Sequence, residues 1–99
     1  MTRHNIIAHL HAQAPAIKAQ GATALYLFGS VARDEATELS DVDVFIEYAA
    51  KNGKPFSVFD LSRIQLILQD ALKMPVDVLT LDSLDRIKAP AEQDAIQIF

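Results

Sequence analysis

The chain has 99 residues, 51% of them hydrophobic, with no cysteine and a formal net charge of −4. One domain spanning residues 1–99 is expected, with enough apolar residues for a core and no means to make a disulfide, a zinc ribbon or a thiol nucleophile. The acidic balance, without a Lys/Arg cluster, argues against direct nucleic-acid binding, and no apolar run nears the ~20 residues of a membrane span.

The first residues lead into an amphipathic segment, not a secretory leader, so a cytoplasmic location is expected. Ile6, Ile7, Leu10, Ala14 and Ile17 follow the spacing of one helical stripe. Pro15 interrupts it, which predicts a break and a second short helix with Pro15 in its first turn, ended by Gly21. His4, His9 and His11 lie here with no carboxylate at ligand spacing and read as solvated surface residues. Ala24-Leu25-Tyr26-Leu27-Phe28 is nearly continuous apolar, as in a central strand. Gly29-Ser30 follows. Val31 to Ala36 suit one or two helical turns with Ser30 as N-cap, and Thr37 to Ser40 a polar loop. Asp41 to Tyr48 read as a second strand, with Val42, Val44, Ile46 and Tyr48 on its buried face. Asn52-Gly53 marks a turn. A helix follows Pro55 or the cap Ser57, with Phe59, Ile64, Ile67, Leu68, Ala71 and Leu72 as its apolar face. Lys73-Met74-Pro75 stops it. Val76 to Thr80 form a third strand, and Asp82 or Ser83 caps a last helical region broken near Ala89-Pro90. Ile96, Ile98 and Phe99 either close the core or dock on a partner, and closing the core is the more common outcome.

The chemistry concentrates between the first two strands. Side chains alternate along a strand, so Asp41 and Asp43 point the same way with Cα atoms ~7 Å apart. Two such carboxylates repel unless a cation lies between them. Gly29 lets the backbone approach a ligand, and the unpaired amides that open the next helical turn, with the Ser30 hydroxyl, suit phosphate oxygens. One or two Mg2+ ions on Asp41 and Asp43 would neutralise a triphosphate. Asp77 opens the third strand, where a neighbouring strand presents it beside Asp43 as a base for an attacking hydroxyl. Arg33 either pairs with Asp34 or Glu35 in solvent or reaches the phosphates. A Gly-Ser turn alone is uninformative, and an Asp-x-Asp alone is often a solvated edge. The composite of strand, Gly-Ser, ten residues, Asp-x-Asp and a third strand carrying Asp is rarely met by chance.

Gly29-Ser30, ten residues and Asp41-x-Asp43 resemble the signature of the polymerase-β-like nucleotidyltransferase superfamily. Leu27 to Arg33, Ser40 to Val44 and Pro75 to Thr80 resemble its smallest members, the minimal nucleotidyltransferase (MNT) proteins, over nearly the full chain. Asp34 departs from them, since glycine is frequent there. The resemblance implies an α/β (α+β) fold with a small mixed sheet flanked by helices. It implies an enzyme that moves a nucleoside monophosphate from an NTP, with ATP as donor and Mg2+, two ions, as cofactor. Gly29, Ser30 and Arg33 would hold the nucleotide, Asp41 and Asp43 the metals, and Asp77 would be the third carboxylate. It further implies an antitoxin that AMPylates a HEPN-domain toxin partner on a tyrosine. Two alternatives stay open: an antitoxin that neutralises by binding alone, and a nucleotidyltransferase acting on a small molecule or RNA. A bare domain needs a partner or a second copy to enclose the base and acceptor, so a homo- or hetero-oligomer is expected.

Overall fold

The centre of the sheet is an antiparallel pair, β1 (Ala22–Phe28) and β2 (Val42–Tyr48), in register from Phe28 opposite Asp43 to Ala24 opposite Glu47. β3 (Val76–Thr80) lies parallel to β2, and β4 (Ile96–Gln97) lies antiparallel to β1, so the order is β3-β2-β1-β4. The computed structural model describes residues 2–32, 41–50, 53–80 and 95–99. The expected mixed sheet with helices beside it is what the chain forms. The caps placed at Asp82 or Ser83, the loop Thr37 to Ser40 and the break at Pro90 lie outside the described residues.

Among the described residues, four helices accompany the sheet: α1 (Arg3–Ala12), α2 (Ala14–Ala19), α3 (Gly29–Ala32) and α4 (Val58–Leu72). Pro15 divides α1 from α2 because it lacks an amide hydrogen, and it sits in the first turn of α2. Gly21 ends α2 at φ +112°, a backbone state other residues resist. α4 joins the parallel pair β2 and β3, a connection that a two-residue hairpin cannot make. It opens with a capping box: Ser57 accepts from the Asp60 amide, and the Asp60 carboxylate accepts from the Ser57 amide. It closes at Lys73, whose φ of 56° is left-handed.

One face of the sheet carries the core. Leu25, Leu27, Val42, Val44, Ile46, Val76 and Val78 pack against Ile6, Leu10, Ile17, Ile64, Leu68 and Leu72 from the helices. No polar or charged residue among those described is buried in it. The opposite face has a smaller apolar cluster, Phe28 and Phe45 with Tyr26, Leu79 and Ala95. The C-terminal segment closes the sheet. Ile98 is buried, its amide donates to the Leu25 carbonyl at 2.8 Å, and the Leu25 amide donates to the Phe99 carbonyl at 3.2 Å. Ile96, Ile98 and Phe99 therefore pack at home.

Three local expectations are corrected. Tyr48 is 40% exposed. The β1 register shifts between Ala22 and Ala24, which ends the regular alternation at that rim, and Tyr48 stacks on Phe56 with ring centroids 4.4 Å apart. Phe59 is 72% exposed, because it stands five residues before Ile64, about 140° round the helix. Phe56, just ahead of α4, packs against the core instead. α3 starts at Gly29, so Ser30 is inside the turn and not its N-cap.

The two ends of α4 should respond oppositely to substitution. Ser57→Ala removes the capping hydroxyl and should cost about 1 kcal/mol. Lys73→Gly relieves the left-handed backbone and should be neutral or stabilising by up to about 1 kcal/mol. Urea unfolding of both variants checks this.

Candidate active site

The site is assembled at one end of the sheet by strand register. Phe28, Asp43 and Asp77 are consecutive Cα partners across β1, β2 and β3. Alternation puts Val42 and Val44 into the core, so Asp43 belongs to the opposite face, and its partner Asp77 to the same one. Asp43 is half-buried and Asp77 exposed. Asp41 stands just ahead of β2, exposed, two positions before Asp43. The expected neighbourhood of Asp77 and Asp43 is thus the arrangement found.

β3 is held at that height by α4. The Gln65 side-chain amide donates to the Val76 carbonyl at 3.1 Å, and the Val76 amide donates to the Gln69 side-chain carbonyl at 3.4 Å. The Val42 amide donates to the Pro75 carbonyl at 3.1 Å. These bonds surround the residue before Asp77 and the residue before Asp43. Below them, Tyr26 stacks on Phe45 at 4.6 Å and Phe28 meets Phe45 edge-on at 5.5 Å, on the same sheet face as the two carboxylates. Those rings lock β1 against β2 where the site begins.

Gly29 follows β1 and opens α3 at φ +75°. A Cβ there would lie 2.6 Å from Asp43 Oδ2. The Asp43 carboxylate therefore rests against the bare backbone of Gly29, and the glycine is required twice, by conformation and by space. Ser30 is the next residue, half-buried. Arg33 lies outside the described residues. Arg3, which the sequence pattern does not single out, donates from Nη1 to the Ala32 carbonyl at 3.1 Å. A guanidinium on the last carbonyl of α3 ties α1 to the turn carrying Gly29 and Ser30.

Among the described residues, no three acidic or histidine side chains are close enough to cage a metal ion by themselves. Magnesium is commonly held by one or two carboxylates together with substrate phosphates and water. Asp41 and Asp43 place two carboxylates two positions apart at the start of β2. A cleft of about 470 Å³ lies elsewhere, lined by Ala49, Phe56, Ser57, Asp60 and Arg63 among others. It adjoins the far end of β2, about 20 Å along the strand from Asp43, and none of the described site residues lines it.

Residues 14–98 match the family described as "Nucleotidyltransferase domain". The chain belongs to this family. Three proteins of Methanocaldococcus jannaschii, each named "Putative protein adenylyltransferase", resemble this nucleotidyltransferase. One is 38% identical over 74 residues, covering 73% of this chain and 71% of the relative. A second is 37% identical over 70 residues, covering 71% of each. The third is 36% identical over 74 residues, covering 73% of this chain and 71% of the relative. A solved "putative minimal nucleotidyltransferase" superimposes with a TM-score of 0.74 at 30% identity, covering 97% of this chain and 95% of its own. A Sulfolobus solfataricus structure shares the fold, with a TM-score of 0.54 at 22% identity, covering 96% of this chain and 80% of its own. Nucleotidyl transfer is the activity these relationships establish.

Gly29→Ala tests the contact at the heart of the site. The left-handed φ should cost about 1–2 kcal/mol of stability. The new methyl should also push the Asp43 carboxylate from its place, so nucleotidyl transfer should fall well beyond what the lost stability accounts for. Melting curves and a transfer assay on the same preparation separate the two effects.

Proposed function

We propose that this nucleotidyltransferase moves AMP from ATP to a hydroxyl of another protein, and that the acceptor is a HEPN-domain toxin for which it serves as antitoxin. The observation that carries the chemistry is the pairing of Asp43 with Asp77 on one sheet face, with Gly29 against Asp43. The protein acceptor is supported by the M. jannaschii relatives, whose names specify protein adenylyltransferases. The toxin partner follows from the resemblance of the motif set to minimal nucleotidyltransferases.

In this reading Gly29 and Ser30 receive the triphosphate, with Arg33 beside them. Asp41 and Asp43 hold magnesium, and Asp77 is the third carboxylate of the group. Magnesium, when bound, supplies positive charge that screens the triphosphate and the leaving group. Asp77 takes the proton of the attacking hydroxyl as the oxygen forms its bond to the α-phosphorus. The bond from that phosphorus to the bridging oxygen breaks, and pyrophosphate leaves with the electron pair. The pairing of Asp77 with Asp43 lets a base stand beside the metal-holding carboxylate without joining its strand. The acceptor comes from the partner, so the partner's docking sets which hydroxyl is modified. A preformed complex makes the attack effectively intramolecular, with effective molarities on the order of 10⁵ M or more in well-oriented cases.

The carboxylates should separate by role. Asp41→Asn and Asp43→Asn should each reduce transfer by roughly 10²-fold or more and weaken magnesium-ATP binding, while leaving the fold intact or slightly more stable. Asp77→Asn should keep magnesium-ATP binding and slow transfer by about 10²–10⁴-fold. Calorimetry with magnesium-ATP beside a transfer assay measures both. Loss of nucleotide binding in Asp77→Asn, with retention in Asp43→Asn, would reverse the assignment.

Intact masses of purified chain, HEPN partner, ATP and Mg2+ test the acceptor. AMP should add to one segment of the partner, and the addition should vanish with Asp41→Asn. Unmodified masses in a stable complex, with toxin inhibition kept in Asp41→Asn/Asp43→Asn, would instead establish neutralisation by binding.

A further inference from the structure

The outward face of α4 carries large apolar side chains that nothing in the nucleotidyltransferase site uses. Phe59 is 72% and Leu66 63% exposed, while Ile64, Leu68 and Leu72 on the other side are buried. At 100° per residue, Phe59, Arg63, Leu66, Asp70 and Lys73 fall within one stripe about 80° wide, opposite the core. Its charges are ordered along the helix. Arg63 precedes Leu66 by three residues, and Asp70 follows it by four, on the same flank. Within its own chain each makes an exposed ion pair at 3.5 Å, Arg63 with Asp60 and Asp70 with Lys73. Such pairs contribute little and are readily exchanged.

We propose that this stripe binds a second copy of the chain, α4 against α4, antiparallel about a two-fold axis beside Leu66. The symmetry then brings the two Leu66 side chains together and sets Arg63 close to level with Asp70 of the second copy, twice. It also sets Phe59 level with Lys73 of the second copy, so the lysine stem covers the ring and its ammonium meets the ring face. Parallel pairing would put Arg63 against Arg63 and Asp70 against Asp70. The order of charge along the stripe therefore selects one orientation and one axis position, which makes it self-complementary. The stripe runs along a single helix about 22 Å long, so the dimer belongs to the small, micromolar class. α4 also sets the height of β3 through Gln65 and Gln69, so the second copy stands behind the sheet and leaves the carboxylate face free.

The test exploits the predicted pairing of unlike positions. In Arg63→Glu the two-fold sets the new carboxylate against that of Asp70 at both crossings. In Asp70→Arg it sets the new guanidinium against that of Arg63. Each variant alone should dimerise at least about tenfold more weakly than wild type. Mixed in equal amounts, the two single variants can form a mixed dimer with an unlike pair at both crossings, and the double reversal Arg63→Glu/Asp70→Arg does the same within one chain. That chain restores an unlike pair at both crossings and should recover wild-type association. Sedimentation equilibrium over a concentration series reads wild type, both single reversals and the double reversal, and melting by circular dichroism shows that each variant is folded. A wild-type chain that stays monomeric throughout overturns the proposal, and assigns the stripe to a different protein or to none. Wild-type dimers that survive either single reversal, or a double reversal no stronger than the single ones, place any self-association elsewhere and overturn it equally.

Discussion

The structure turns on the parallel ladder between β2 and β3. By register alone it seats Asp43 beside Asp77, and like charges on paired positions oppose the pairing that creates them. The fold offsets this repulsion with packing on the far side of the same strands, where Val42, Val44, Val76 and Val78 are buried. The position of the acidic pair is thus set by a dry core on the far side of the same strands. The carboxylates are placed on one face by hydrophobic packing on the other.

Three ties keep that placement firm. α4 clamps the start of β3 through its glutamines, so the helix that covers the core also sets the height of Asp77. The stacked rings of Tyr26, Phe45 and Phe28 hold β1 and β2 in register under the carboxylates. Arg3 anchors the short turn after β1 from a distant helix. The ties from α1 and α4 join an element bearing a site residue to one that bears none, which is how a 99-residue chain holds a rigid corner.

Much of this was legible in the residues. Spacing alone pointed to both halves of the candidate site, because Gly-Ser after an apolar strand and Asp-x-Asp opening another are local patterns. The Pro15 break, the Ser57 cap and the stop at Lys73 were legible for the same reason. The proximity of Asp77 to Asp43 was legible as topology, since a helix between two strands implies a parallel pair. What escaped is what depends on tertiary contact. The Gly29 backbone against Asp43 joins residues on different elements, and so does Arg3 on Ala32. Phe45 lies between Asp43 and Glu47 and looks solvent-facing until a second cluster forms around it. Tyr48 and Phe59 follow an apolar pattern but stand where the sheet ends and the helix turns outward. A strand as short as β4 has no periodicity to detect.

The β1 edge joined by β4 has a consequence for how the protein is made. Leu25 receives its backbone partners from Ile98 and Phe99, more than seventy positions later. A nascent chain has its central hairpin, its helices and β3 before those partners leave the ribosome. Throughout that interval one side of β1 presents unpaired amides and carbonyls next to apolar side chains, the kind of surface that recruits chaperones or other strands. Completion of the sheet is therefore a long-range event, made after the strands and helices that precede it in the chain.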